Sequence, residues 1–153
     1  MSVRDTDKGM LELTKALAKL KNTEIKVGVF SDAVNTEGKN TEYVADYAIA
    51  NEYGHGHIPE RSFIRSTIDE QQDAWSKLMG DVLTNTTKTG GANLERDLYK
   101  VGAVARSDII AKINSNISPQ NAPATIKRKG NKNRTLIEHG VLRNSIEARI
   151  GGK

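Results

Sequence analysis

A period-two alternation of apolar residues occurs near both ends of this chain, and most of what lies between keeps helical spacing. In Glu24-Ile25-Lys26-Val27-Gly28-Val29-Phe30, residues Ile25, Val27 and Val29 share one face, and Ile146-Glu147-Ala148-Arg149-Ile150 repeats the pattern. Such alternation describes a half-buried strand, and β-branched residues suit it. A strand's backbone groups need a partner, so 146–150 is expected to pair with 25–30, closing the two ends of the chain on each other.

The intervening sequence supplies helices. Met10, Leu13, Leu17 and Leu20 predict one over about 6–21. A second, over 60–84, follows from Ile64, Ile68, Trp75, Leu78, Met79, Val82 and Leu83; a third, over 92–116, from Leu94, Leu98, Val101, Ala105, Ile109 and Ile113. Gly90-Gly91 interrupts these two, which are then antiparallel. A shorter helix is expected over 42–53, capped by Thr41, with Val44, Tyr47, Ala48 and Asn51 on one face and Gly54 as a left-handed end. Residues 31–40 read as a surface loop, 124–129 as a short helix stopped at Gly130, and 140–145 as one further helical turn. The fold class is α+β: a small antiparallel or mixed sheet packed by two long helices, in a single domain over 1–153 with an extended polar arm at about 114–135. That arm buries little apolar area, so contact with something else, in a ring the next subunit, is expected to order it.

Composition removes several function classes. The chain has no cysteine, which excludes disulfides, thiolate zinc sites and cysteine nucleophiles. Aromatics are only 5%, so the core is aliphatic and modest and gains from neighbours. The start MSVRDTDKGM carries no signal peptide, and no run approaches the ~18 apolar residues of a membrane span, so a soluble protein assembled inside the cell and making no membrane contact is expected. Net charge is +4, but eight basic residues against two acids from Ile126 onward put +6 there and leave −2 on the first 125 residues. A mildly acidic body with a basic tail suits docking on a second copy, an acidic partner or nucleic acid.

Local chemistry is sparse. His55 and His57 with Glu52 are metal-ligand types, but a two-residue spacing in a loop lacks fixed geometry and no further ligand set stands nearby in the sequence. A glycine-rich turn with solvent-facing histidines is the preferred reading, with no metal and no cofactor. There is no Gly-x-Ser-x-Gly elbow, and Gly90-Gly91 lacks the Lys-Ser/Thr of a phosphate loop, so no enzyme is expected. Lys127, Arg128, Lys129, Lys132 and Arg134 suit phosphates in a salt-sensitive, sequence-indifferent way, but no aromatic lies among them to stack bases. A basic segment facing solvent or a subunit is preferred. Trp75 reads as a core or interface anchor.

Two stretches carry a resemblance. One is Tyr47-Ala48-Ile49-Ala50-Asn51-Glu52-Tyr53-Gly54 followed by Ile58-Pro59-Glu60-Arg61-Ser62-Phe63-Ile64-Arg65. The other is Ala122-Pro123-Ala124-Thr125-Ile126-Lys127-Arg128-Lys129-Gly130 with Leu136-Ile137-Glu138-His139-Gly140-Val141-Leu142-Arg143-Asn144-Ser145-Ile146. In order and spacing, from about residue 25 to 150, this resembles the virion-morphogenesis family of tailed phages and prophages, the minor tail, tail-completion or neck proteins. Ser62 departs from the family's usual proline, and Glu138-His139 from its Asp-Thr. The resemblance implies a non-enzymatic virion subunit, one of a ring commonly of six at the head-to-tail junction. Its partners would be copies of itself, the head connector or stopper, and a tail-terminator or tail-tube protein. A tail-terminator capping the tail tube and a basic nucleic-acid-binding module stay open as alternatives, as does non-specific contact with genomic DNA in the channel. Within the motifs, Arg61 and Arg65 fall four apart on the next helix and are expected to pair with Glu52 or with an acid of a neighbour. The expected interface residues are Glu52, Arg61, Arg65, Lys127, Arg128, Lys129, Lys132 and Arg134, charges that set register more than affinity.

Overall fold

The computed structural model describes residues 8–36, 41–130 and 133–152. In chain order these form α1 (Lys8–Lys21), β1 (Thr23–Val29), β2 (Val34–Asn35), β3 (Glu42–Tyr43), α2 (Val44–Tyr53), α3 (Arg65–Thr89), α4 (Leu94–Asn114), α5 (Pro123–Arg128), α6 (Val141–Asn144) and β4 (Ile146–Gly152). The fold is α+β, and β1 pairs antiparallel with β4 as the two alternations require. In this register Ile25 faces Ile150, Val27 faces Ala148 and Val29 faces Ile146, so each apolar residue of one strand stands beside one of the other.

Helix α4 lies directly on this sheet, and Gly102 marks the closest approach. A Cβ added there would stand 3.2 Å from both Ala148 Cβ and Ile25 Cγ2. The stripe read from the sequence is the buried face of α4: Leu94, Leu98, Val101, Ala105, Ile109 and Ile113 are all below a tenth exposed. Helix α3 packs chiefly on α4 rather than on the sheet. Between α3, α4 and β1 an apolar groove of about 430 Å³ remains, with Ile68, Trp75 and Met79 on its α3 side. Trp75 is half-buried there and donates its indole N–H to Asp108 Oδ2 at 2.8 Å.

Two apolar clusters result. Val44 and Ala48 of α2, Phe63, Ile109, Ile113, Leu142 and Ile146 form one; Val82, Leu94, Leu98 and Val101 form the other. Helix α1 reaches the body through Ala16 and Leu20, not through the whole stripe expected of it, since Met10 and Leu17 remain 59% and 42% exposed. The chain at Gly91 dictates this. With φ +85°, Gly91 sits so close that a Cβ there would lie 2.1 Å from Ala16 Cβ, and only small residues meet at such a crossing.

Several boundaries differ from the sequence reading. Helix α3 starts at Arg65, not at 60, and runs on to Thr89, where Gly90 closes it in a left-handed conformation. Thr41 does not cap α2: the chain enters the helix from β3, Tyr43 holds the cap position, and no side chain caps it. The loop at 31–40 contains β2, whose Val34 pairs with Tyr43; residues 37–40, like 6 and 7 of the first expected helix, lie outside the described residues. Gly54 has a positive φ of 75° but an extended ψ of 143°, so it ends α2 by turning the chain outward rather than as a left-handed cap. No helix among the described residues is long and apolar enough to cross a membrane.

Candidate functional site

Glu52 stands on the last turn of α2 and is 4% exposed. Its carboxylate Oε2 accepts the backbone N–H groups of Phe63 and Ile64 at 2.8 and 2.9 Å. Oε1 accepts the Arg65 N–H at 2.9 Å, the Ser62 hydroxyl at 2.9 Å and Arg65 Nε at 3.2 Å. The first turn of any helix carries backbone donors without helical partners, and an anion there also meets the positive end of the helix dipole. Here that anion comes from another helix. Burial by itself pushes the Glu52 carboxyl up, but the Ile64 and Arg65 N–H groups, the Ser62 hydroxyl and the Phe63 N–H together outweigh it and hold its pKa below the ordinary range.

Arg65 answers the carboxylate from the first turn of α3. Its Nη2 donates to the Glu52 carbonyl and to Glu60 Oε1, both at 2.7 Å, and the guanidinium carbon lies 4.4 Å from the centre of the Tyr53 ring. The expected pairing of Arg65 with Glu52 is therefore present within the chain. That of Arg61 is not. Arg61 precedes α3 rather than riding on it, and its guanidinium donates to main-chain carbonyls, Pro119 O at 2.7 Å and Gln120 O at 3.2 Å. Its own N–H donates to Asn51 O at 2.7 Å. Burial to 6% exposure lowers its pKa, and no carboxylate pairs with it among the described residues.

Through Arg61 the segment following α4 is drawn onto the body, and this corrects the expectation of an arm ordered from outside. Asn116, at φ 61°, accepts the Thr135 N–H at 2.7 Å and the Thr135 hydroxyl at 3.1 Å on its side-chain oxygen, and Thr135 is fully buried. Asn121 donates to Arg134 O at 3.0 Å. Lys129 donates to Arg134 O and Ile137 O at 2.9 and 2.8 Å, while Arg134 Nη2 donates to Asn114 O at 3.3 Å. Arg128 grips Glu138 with both nitrogens, Nη2 to Oε2 at 2.9 Å. Polar side chains bonded to carbonyls thus hold this segment together with the apolar side chains of Ile117, Leu136 and Ile137, which pack against the core. Lys127 alone of the three consecutive cations points outward without a side-chain partner among the described residues, and Lys132 lies outside them.

Between α2, the turn after it and this folded-back segment opens a cleft of about 630 Å³. Arg61, Arg128 and Lys129 line it, with Glu42, Glu138, His57 and His139. Burial lowers the Lys129 pKa; Glu138 opposes that, while Arg128 and Arg61 add to it, so the cations of the cleft sense one another. Glu138 is itself held low, first by its hydrogen bonds from Arg128. The two histidines of the Gly-rich turn are exposed, and the turn is closed by paired main-chain bonds between His55 and Ile58 at 3.0 and 2.9 Å. Gly54 must be glycine, because a Cβ would stand 3.1 Å from Glu60 N and 3.3 Å from Ile58 O. No group of three or more His, Asp or Glu is placed to hold a metal ion among the described residues.

Sequence reasoning named Glu52, Arg61, Arg65, Arg128 and Lys129 and missed Glu138, His139, Gln120 and Asn121 as cleft residues. The signal for Glu138 was the Arg128 ten positions earlier, but only the bend of the chain between them makes it legible. No family model, no curated protein and no solved structure matches this chain.

Proposed function

We propose that the chain is a non-enzymatic structural subunit of a tailed-phage virion, a tail-completion or neck protein that works as one copy in a ring, of six copies, at the head-to-tail junction. One observation supports this reading beyond the resemblance itself. The two motif stretches, separated by more than fifty residues, fold together into one unit: Arg61 of the first bonds the carbonyls that lead into the second, and Leu142 and Ile146 of the second share a core with Ala48 and Phe63 of the first and with Val44 beside it. The motif residues thereby act in building a shape, and the charges left over line a cleft facing outward. Such an arrangement suits docking between proteins better than bond making.

Deletion of the gene in the phage or prophage that encodes the chain tests the proposal. Lysates viewed by electron microscopy are expected to hold full heads and finished tails that fail to join. Tails of uncontrolled length would instead point to a tail-terminator, and normal infectious particles would end the proposal.

A further inference from the structure

The Arg61 guanidinium has its hydrogen bonds but not its counter-charge. It is nine-tenths buried, its guanidinium bonds only to neutral carbonyls among the described residues, and the Lys129 ammonium, likewise bonded to two carbonyls, has a pKa lowered by burial and further by the charges of Arg128 and Arg61. Of the two acids that line the cleft, Glu138 is already engaged by both nitrogens of Arg128, and Glu42 is exposed and makes no ion pair with Arg61 or Lys129 among the described residues. A buried cation without an anion is costly, and a second cation beside it adds to the cost. The geometry points to a carboxylate receptor: we propose that this cleft takes acidic side chains of a second copy of the chain, from the exposed face of its α3. The inference rests on the ring reading and names the contact that would build the ring.

The second copy is favoured by what its own surface offers. Asp69 and Asp73 are exposed, stand four residues apart on α3 and hold no ion pair among the described residues, whereas neighbouring Glu70 is bound to Lys112. Helical side chains at that spacing project together, about 5–6 Å apart at Cβ, a separation that suits two anions meeting two neighbouring cations. A cleft on one surface and a helix face on another make a head-to-tail contact, the kind that builds a ring where the rotation between copies closes and a filament where it does not. Nucleic acid fits less well, because a duplex presents phosphates on a wide convex surface, and Arg61 is reached only from inside the recess.

Zero-length carbodiimide crosslinking of the full chain tests this, using an equal mixture of 14N and 15N protein so that links between copies are identified by mass. The expected products join Lys127 or Lys129 of one copy to Asp69 or Asp73 of another. Sedimentation velocity run in parallel should show association weakened at least tenfold by Asp69→Lys with Asp73→Lys, two exposed sites that leave the core untouched. Because Arg61 also holds the Pro119 segment, Arg61→Met is judged only beside circular dichroism that shows the helices retained. Links between copies that avoid these residues, undiminished association of the α3 double variant, or a chain monomeric at millimolar concentration would overturn the contact. So would displacement of the crosslinks by a short DNA duplex, which would assign the cleft to phosphate. The gene-deletion phenotype is independent of all these outcomes, so the cleft can fail while the neck reading stands.

Discussion

Replacing Glu52 by glutamine changes one atom and removes one charge, and the structure says what that should cost. Of the donors converging on this carboxylate, the Phe63 N–H is buried while those of Ile64 and Arg65 are partly so. An amide keeps one acceptor oxygen but turns its NH₂ towards backbone N–H groups, so at least one buried donor loses its partner, at about 1–3 kcal/mol. Loss of the anion at the start of α3 adds about 0.3–2 kcal/mol. The expected destabilisation of Glu52→Gln is thus about 2–4 kcal/mol, read in urea by circular dichroism as a midpoint lowered by about 1–2 M at the slopes usual for small proteins. The dependence on pH gives a second signature. The folded pKa of Glu52 lies below its ordinary value of 4.5, so the stability it contributes is fully present above 4.5 and is lost as pH falls towards the folded value. Wild type and Glu52→Gln should therefore draw together in stability as the pH falls from 4.5 towards the folded value. A penalty under about 1 kcal/mol at pH 7, or one that persists unchanged in acid, would refute the argument that this carboxylate caps α3.

Ile109→Ala or Leu98→Ala should cost about 2–5 kcal/mol in the same urea assay, since each truncates a side chain only 2% exposed within an apolar cluster. Gly91→Ala should destabilise more than Gly102→Ala: the first adds a methyl 2.1 Å from Ala16 Cβ at a positive φ, the second one at 3.2 Å from atoms that can shift slightly while gaining helix propensity. Arg61→Met should speed amide exchange across residues 116–121 without loss of helical signal, because it frees the Pro119 and Gln120 carbonyls; protection unchanged there would argue that apolar contacts, not the arginine, hold the segment. His57→Ala should leave the urea midpoint unmoved, as the side chain is exposed and its turn is closed by main-chain bonds.

What could be read from the sequence was what repeats along it. The alternations of β1 and β4 and the stripe of α4 depend only on burial of one face, and a face leaves a period. The start of α3 leaves none. Pro59 and Ile64 suggest a helix from 60, but the start is set by Glu52, a residue of the preceding helix whose carboxylate meets the N–H groups of 63, 64 and 65. The end of α3 was hidden for the opposite reason: Asn85, Thr86 and Thr87 look like loop, yet Thr86 is 2% exposed because the helix still lies against its neighbours there. The segment after α4 looked unattached because its apolar contacts, Ile117, Leu136 and Ile137, are scattered without a period and many of its other attachments run from side chains to carbonyls, a pairing in which one partner carries no sequence identity. In the cleft, likewise, the cations were countable in advance, but which of them kept a counter-ion depended on where the chain turned.

The pairing of β1 with β4 has a consequence in time. Arg149 and Asp32, which meet through two hydrogen bonds beside this sheet, are 117 positions apart, and during synthesis β1 leaves the ribosome long before its partner exists. Until then Ile25, Val27 and Val29 can rest only on helices, and the edge of β1 that will bond β4 is open to other strands. Contacts so distant in sequence pay their loop-closure entropy before they return any stability, which slows the last step of folding relative to the helices. A nascent chain that has not yet made residue 146 thus carries an unsatisfied strand edge, the feature that draws chaperones and that invites pairing with the wrong copy.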